Sequence, residues 1–398
     1  SSEQQTLALD MEWHGRNTVG SAPDISSTVG WFAIMYPLYL GLPENAGLDE
    51  IIKHVKETFR AVASKGEGYS MLSQLHPDQL VKEQLQIDRS NHLFFTYLGQ
   101  LDQTNTQTGM FSKGELFANL VDEQQKRPYY LEMTSLILDG RLHLNCSYSR
   151  HCFQQETIKR MTNGFISQLE RVIDYCLSDD VGGFSPSDFS LVELTQPQID
   201  TVISQLKPSV DVKNIQDIYP VTALQQGMCY HTLLSPQSGV YMQQKVVDFD
   251  GNLDTYKFKQ AWQSLLKKHD VFRTFFYGID SEKPLQIVVN DMATPWQEID
   301  LSTMAADKHD VEIQRLMKKD WQSQINLMVL PLMKLKLIKL ASDKHCFIWT
   351  YHHVLSDGWS SSVVLRELFT IYRALVEGIT LPSGGSTKQF KEYIKWSQ

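Results

Sequence analysis

The chain contains no block of lysine and arginine, no CxxC pair, and no apolar run long enough to cross a bilayer. Each absence removes a class of function. With 37 Lys and Arg against 46 Asp and Glu, the net charge is −9 and the pI near 5.7. That balance argues against a nucleic-acid or anionic-membrane surface, because holding phosphates needs a surplus of cations on one face. The five cysteines are an odd number (Cys146, Cys152, Cys176, Cys229 and Cys346). Cys146 and Cys346 fall in apolar, strand-like stretches where a thiol packs as a small hydrophobe, so a reducing, cytosolic setting is expected. A charged-apolar-small leader is also missing, and neither secretion nor a membrane span is expected.

What is present is ordinary globular composition: 398 residues, 42% hydrophobic and 21% charged. That length suggests two or three compact units with a sizeable core. "TLALDMEW" alternates like a strand and begins almost at residue 1 with nothing before it to pair with, which looks like a cut start. Residues 47–63 and 154–177 carry apolar residues at helical spacing, and between them "YYLEMTSLILDGRLHLNCSYS" predicts two strands turning at Asp139-Gly140. The stretch 178–200 then loses periodicity and gathers Ser, Asp, Gly and Pro, the composition of a connector.

The second half restarts with the strand "QQKVVDFDG" and a helix over "LDTYKFKQAWQSLLKKHD" that should bury Phe258, Trp262, Leu265 and Leu266. "VFRTFFYG" and "LQIVV" are expected as strands. "LMKLKLIKL" alternates apolar with Lys, an exposed sheet face, and "ASDK" turns it into "HCFIWTYHH". A helix over "SSSVVLRELFTIYRALVEG" should be capped by Ser360 or Ser361 and stopped by Gly378.

The chemistry gathers at "YHHVLSDGWS", residues 351–360. Side chains alternate along a strand, so His352 and His353 should point to opposite sides and would not share one metal ion. A packing alternative has one histidine buried and bonded while Asp357 caps the next turn. In the functional alternative His353, at a strand end, takes a proton from an attacking amine or hydroxyl, because imidazole titrates near neutral pH. Asp357 would then hold the loop through an ion pair with Arg273, and Gly358 would let backbone approach a ligand near the free N–H groups of the following helix.

That decapeptide resembles the HHxxxDG signature of the condensation domains of non-ribosomal peptide synthetases. "IYPVTALQQGMCYHTLL", "LLKKHDVFRTFF" and "FKEYIKWSQ" resemble, in order, the family's opening segment, its arginine-bearing segment and its Tyr- and Trp-containing stretch. The first half is similar to the related epimerization domains: "MEWHGRN", "SSTVGWFAIMYPLYL", "SKGEGYSML" and "FFTYLGQLDQ" follow their C-terminal motifs in order. The resemblance puts Glu12, followed by His14, at that family's acid/base glutamate and Tyr97 at its cleft tyrosine. Asn17 and Thr96 depart from its usual acidic residue and asparagine.

The resemblance implies an α/β fold of two chloramphenicol-acetyltransferase-like lobes, each a mixed β-sheet packed with helices. Residues 1–185 would be an epimerization-like C-terminal lobe, 186–215 a linker, and 216–398 the N-terminal lobe of a condensation domain, as in a piece spanning a module boundary. It further implies amide-bond formation between carrier-bound substrates, with a donor that ends in a D-residue. The 4'-phosphopantetheine arms would be carried by upstream and downstream peptidyl carrier domains and not by this chain. Ser185 in "VGGFS" is not expected to bear one, since Pro186 follows where a carrier helix should begin. Epimerization and a non-catalytic docking role are the competing expectations.

Overall fold

The computed structural model describes residues 6–16, 24–86, 92–100, 126–178, 183–207, 209–236, 238–379 and 388–398. Asn17 and the end of "FFTYLGQLDQ" lie outside them. Two compact units divide the chain, residues 1–185 and 186–398.

The first unit is a five-stranded mixed sheet in the order β2-β1-β3-β4-β5, built from β1 (Thr6–Trp13), β2 (Ile34–Gly41), β3 (Leu93–Gln100), β4 (Leu131–Leu138) and β5 (Arg141–Tyr148). β1 runs antiparallel to β2 and parallel to β3, and Leu9 and Met11 pack with Tyr36, Leu38 and Leu40 on one side of it. Asp139 and Gly140 both take positive φ (54° and 65°), the backbone of a tight two-residue hairpin, which is why that dipeptide turns β4 into β5. Helices α1 (Leu48–Ala61), α2 (Glu67–Leu75), α3 (Gln79–Leu85) and α4 (Gln155–Leu177) complete the unit.

Residues 186–215, expected to be a connector, fold with the second unit. Their helix α5 (Gln196–Leu206) starts at a Thr195–Gln198 capping box and buries Ile199, Val202, Ile203 and Leu206. Those four positions are one helical face, a pattern partly hidden by the Ser- and Pro-rich flanks.

The core of the second unit is the four-stranded sheet β10-β11-β12-β7, formed by β7 (Met242–Asp250), β10 (Trp296–Asp300), β11 (Met333–Ala341) and β12 (Lys344–His352). A three-stranded sheet joins β6 (Ile215–Pro220), β9 (Leu285–Val289) and β8 (Thr274–Tyr277). The helices are α6 (Ala223–Leu234), α7 (Thr255–Lys268), α8 (His309–Gln322), α9 (Gly358–Glu377) and α10 (Phe390–Ser397).

β12 is buried on both faces, and its alternation divides the core. Phe347, Trp349 and Tyr351 point toward α7 and α9, packing with Phe258, Trp262, Leu265, Val364 and Leu368. Cys346 and Ile348 point the other way, toward Ile313 and Leu316 of α8. Burying each large side chain of this kind stabilises by about 1.5–3 kcal/mol, so Trp262 and Trp349, both without exposed surface, are principal contributors.

The Lys-bearing face of β11 is only partly exposed, contrary to the alternation-based expectation. α8 covers it, and Lys336 is buried in an ion pair with the equally buried Asp320 of that helix. "VFRTFFYG" is likewise only half a strand: Asp270–Arg273 form a 3-10 turn, and the strand starts at Thr274. Helix α9 is capped by Asp357, ahead of Ser360 and Ser361, and ends at Gly378 with φ 67°.

Candidate functional site

β12 ends at His352, and the backbone turns through residues 353–356 into α9. This turn lies on one wall of a cleft of about 740 Å³ within the second unit, which His353, Asp357 and Trp359 share with Gln225 of α6, His269 and Tyr393 of α10. Strand alternation separates the two histidines, as the sequence implies.

His352 is 1% exposed and fully bonded. Its Nδ1 accepts the Val354 N–H at 3.2 Å, so Nε2 carries the proton and donates to Thr232 Oγ1 at 3.1 Å. The Thr232 hydroxyl hydrogen is in turn given to the Met228 carbonyl at 2.8 Å, leaving the oxygen free to accept. Burial pushes the imidazole down to about pKa 4. His352 is therefore a neutral strut between β12 and α6.

His353 is arranged differently. Its backbone N–H donates to the Tyr241 carbonyl at 2.7 Å, with Tyr241 itself at φ 61°, while its ring Nδ1 lies 2.6 Å from the Ser356 carbonyl oxygen. A carbonyl can only accept, so Nδ1 bears the hydrogen, and in the neutral ring Nε2 keeps its lone pair. Among the described residues that nitrogen has no hydrogen-bond partner. The arrangement fits a group that accepts or orients a proton on a bound molecule.

Asp357 does not pair with Arg273. It stands exposed at the head of α9, where Oδ1 accepts the Ser360 N–H at 2.7 Å and the Ser360 hydroxyl at 2.6 Å. Those bonds hold its carboxyl below the usual range. The first turn of α9 is also pinned to the sheet, because Tyr351 Oη and Ser361 Oγ lie 2.8 Å apart. The Ser360 N–H, expected to be free for a ligand, is thus consumed by the cap, whereas Gly358 has open space around the position a Cβ would take.

Arg273 is 5% exposed and serves the scaffold. Its Nε donates to the Leu266 carbonyl at 2.9 Å and Nη1 to Gln216 Oε1 at 2.7 Å, with further bonds to the Val289 and Lys267 carbonyls. It thereby fastens the C-terminal end of α7 to β6 and β9. Its nearby carboxylate is the buried Asp270, whose Oδ1 faces the Phe390 N–H at the start of α10.

Two further contacts emerge only from the fold. Gln225 sends its amide to the Val354 carbonyl at 3.2 Å, and His269 Nε2 lies 2.7 Å from Glu367 Oε2, while Lys268 approaches the other oxygen of that carboxylate. The Thr-x-x-Gln spacing is a visible capping signal for the first, but it does not reveal the long-range partner.

In the first unit, Glu12 and Tyr97 sit on neighbouring strands. The register Met11↔Phe95 puts Glu12 on the face shared by Asp10 and Phe94, and Tyr97, 51% exposed, on the opposite face. His14 is exposed beyond the end of β1, its ring tilted 36° against that of Trp13, and it accepts the Arg16 N–H at 3.0 Å. Ser185 is fully buried.

A sequence model described as "Condensation domain" matches residues 1–190 and 215–398. The chain belongs to the condensation domain family. A linear gramicidin synthase protein of Brevibacillus parabrevis is 31% identical over 99% of this chain and 5% of its own length. Bacitracin synthase 1 of Bacillus licheniformis is 30% identical over 99% of this chain and 7% of its own. The chain thus spans only a small part of the curated relatives it matches. A solved structure, the starter condensation domain of rhizomide synthetase RzmA, is 24% identical over 46% of this chain and 43% of that one, with a TM-score of 0.42. The described residues form a mixed α/β architecture, as the sequence implies. Among the described residues no cluster could hold a metal ion, and no helix is long and apolar enough to cross a membrane.

Proposed function

We propose that the second unit carries the His353 side of a peptide-bond-forming site, acting on a donor acyl group and an acceptor amino acid, each held as a thioester on a carrier domain. The observation that supports this most is the His353–Ser356 bond, which leaves Nε2 with a free lone pair on a residue lining the cleft. In the reaction the acceptor amine attacks the donor thioester carbonyl. A C–N bond forms, the C–S bond breaks, the amine proton passes toward Nε2 and the departing thiolate is protonated. Holding the amine in line would account for part of the rate and proton movement for the rest. The pantetheine arms arrive as part of the substrates, on partner carrier domains.

The finer division also belongs to this reading: residues 1–185 as the end of an epimerization-like domain, and 216–398 as the start of a condensation domain that takes a donor with a D-residue at its end. The motif series in the first half supports it. Epimerization by this chain draws less support, since Glu12 and Tyr97 lie on opposite sheet faces.

The test is a single-turnover assay with donor and acceptor groups loaded on carrier domains, read by intact mass of the acceptor carrier, with the chain compared with His353→Ala. Product that disappears in the variant supports the assignment, and D- against L-terminated donors then test the stereochemical part. No product from a folded chain overturns catalysis by this chain and favours the non-catalytic docking role.

A further inference from the structure

Gln225 forms part of a closed hydrogen-bond network, and that network ends at the turn that carries His353. At N3 of α6 its Oε1 accepts the Thr222 N–H at 3.0 Å while the Thr222 hydroxyl receives the Gln225 N–H at 3.2 Å. The Thr222 N–H can only donate, so the amide orientation is fixed and Nε2 must face the other way. There it donates to the Val354 carbonyl at 3.2 Å and to Gln286 Oε1 at 3.1 Å. Gln286 returns a bond to Gln225 Oε1 at 3.0 Å and another to the Pro220 carbonyl, also at 3.0 Å. Both glutamines are buried, at 6% and 0% exposure, so these bonds are shielded from water and costly to leave unmade.

The Val354 carbonyl lies inside the turn that sets the His353 tautomer. Val354 follows His353 directly, and Ser356, whose carbonyl takes the Nδ1 hydrogen, is two residues on. Other backbone bonds close the turn, from the Leu355 N–H to His352 and from the Ser356 N–H to His353, but both stay within residues 352–356. Gln225 is the bond from α6 that ties the middle of the turn to a separate element. Without it the turn keeps its local bonds and the bond from the His353 backbone N–H to the Tyr241 carbonyl at its start, and its middle loses its tie to α6.

We infer that Gln225 is a positioning residue for His353, holding residues 353–356 so that Nδ1 stays on the Ser356 carbonyl and Nε2 stays unprotonated and aimed. The catalytic consequence rests on the condensation reading above; the tautomer consequence does not.

The chain labelled with 15N-histidine gives the first readout, long-range proton–nitrogen correlation of ring tautomers, with the His353 signal assigned by its loss in His353→Ala. The wild-type chain should show His353 as one Nδ1–H tautomer. Gln225→Met, which keeps the side-chain volume and removes the amide, should shift His353 to a mixture with the Nε2–H form. Gln286→Met removes the glutamine pair but retains the Val354 bond, and should keep the wild-type tautomer at a comparable loss of thermal stability. A Gln225→Met spectrum with unchanged His353, or the same change in both variants, overturns the inference. Where the wild-type chain forms product, Gln225→Met should slow the single-turnover rate by about 10- to 100-fold with little change in acceptor KM; an unchanged rate also overturns it. A wild-type chain that forms no product removes the condensation reading and leaves the tautomer to decide.

Discussion

The Ser356 carbonyl oxygen lies 2.6 Å from His353 Nδ1, close enough to fix which ring nitrogen keeps a lone pair. The same turn gives His352 the opposite tautomer, through the Val354 N–H at its Nδ1. Two adjacent histidines are thus set to different chemistry by backbone groups of the same short turn.

His353→Ala should lower the single-turnover rate of amide formation by about 10²–10⁴-fold, the range of a positioned proton-transfer group. Because the ring is only half-buried, the thermal midpoint should move little. A variant that keeps its rate would exclude His353 from the chemistry.

Arg273 and Asp357 should behave as independent sites. Asp357→Ala removes an N-cap and should cost about 1 kcal/mol, whereas Asp357→Asn, which can still accept the Ser360 N–H, should cost less. Arg273→Ala leaves the Leu266 and Lys267 carbonyls and Gln216 without their donor, and should cost about 3 kcal/mol or more. In a double-mutant cycle by urea unfolding, the two should add to within about 0.5 kcal/mol. Coupling well above that would restore the ion pair expected from the sequence.

The contrast between these residues marks how far the sequence is informative. Alternation and spacing locate β11, β12 and four of the five buried residues of α7, because strand and helix periodicities are local. The Asp139-Gly140 hairpin is equally legible from its turn chemistry. Arg273 stands out in the sequence but its role does not, since its carbonyl partners come from α7 and β9 and leave no mark in the pattern around it. Ser360, Ser361 and, in the packing alternative, Asp357 are all capping candidates in the sequence, and the fold decides that Asp357 takes the Ser360 N–H. Gln225 can be seen as a capping residue, but its contact with Val354, 129 positions away, cannot.

His352 predicts a dependence of stability on pH. Its folded pKa of about 4 lies below the ordinary 6.5, so between these values the unfolded chain binds the extra proton. The stabilisation is complete above pH 6.5, falls as pH drops toward 4, and amounts to roughly 3 kcal/mol. His345, also held low by burial, acts in the same direction, while buried Asp270, held high, acts in the other. The difference between wild type and His352→Gln isolates the single group. Urea unfolding at about pH 7.5 and about pH 5 should show wild type losing more stability than the variant. Equal losses would mean that His352 is charged in the folded chain.

The buried Lys336–Asp320 pair supports the sharpest stability test, because it sits where the sequence pattern promised an exposed face. Desolvating both charges is expensive, and their attraction repays that cost only while both remain. Asp320→Leu should therefore destabilise by about 3–5 kcal/mol, since it leaves the Lys336 ammonium buried against α8 with no counter-charge. Lys336→Met should cost less: Lys334 Nζ lies 3.9 Å from the other Asp320 oxygen and can partly replace the lost partner. The double variant should cost well under the sum, with a coupling of about 0.5–3 kcal/mol, because two apolar side chains can fill the same space without either desolvation cost. Denaturant unfolding of the four proteins reads this directly. Additive costs would mean that water still reaches the pair and that α8 does not seal this face of β11.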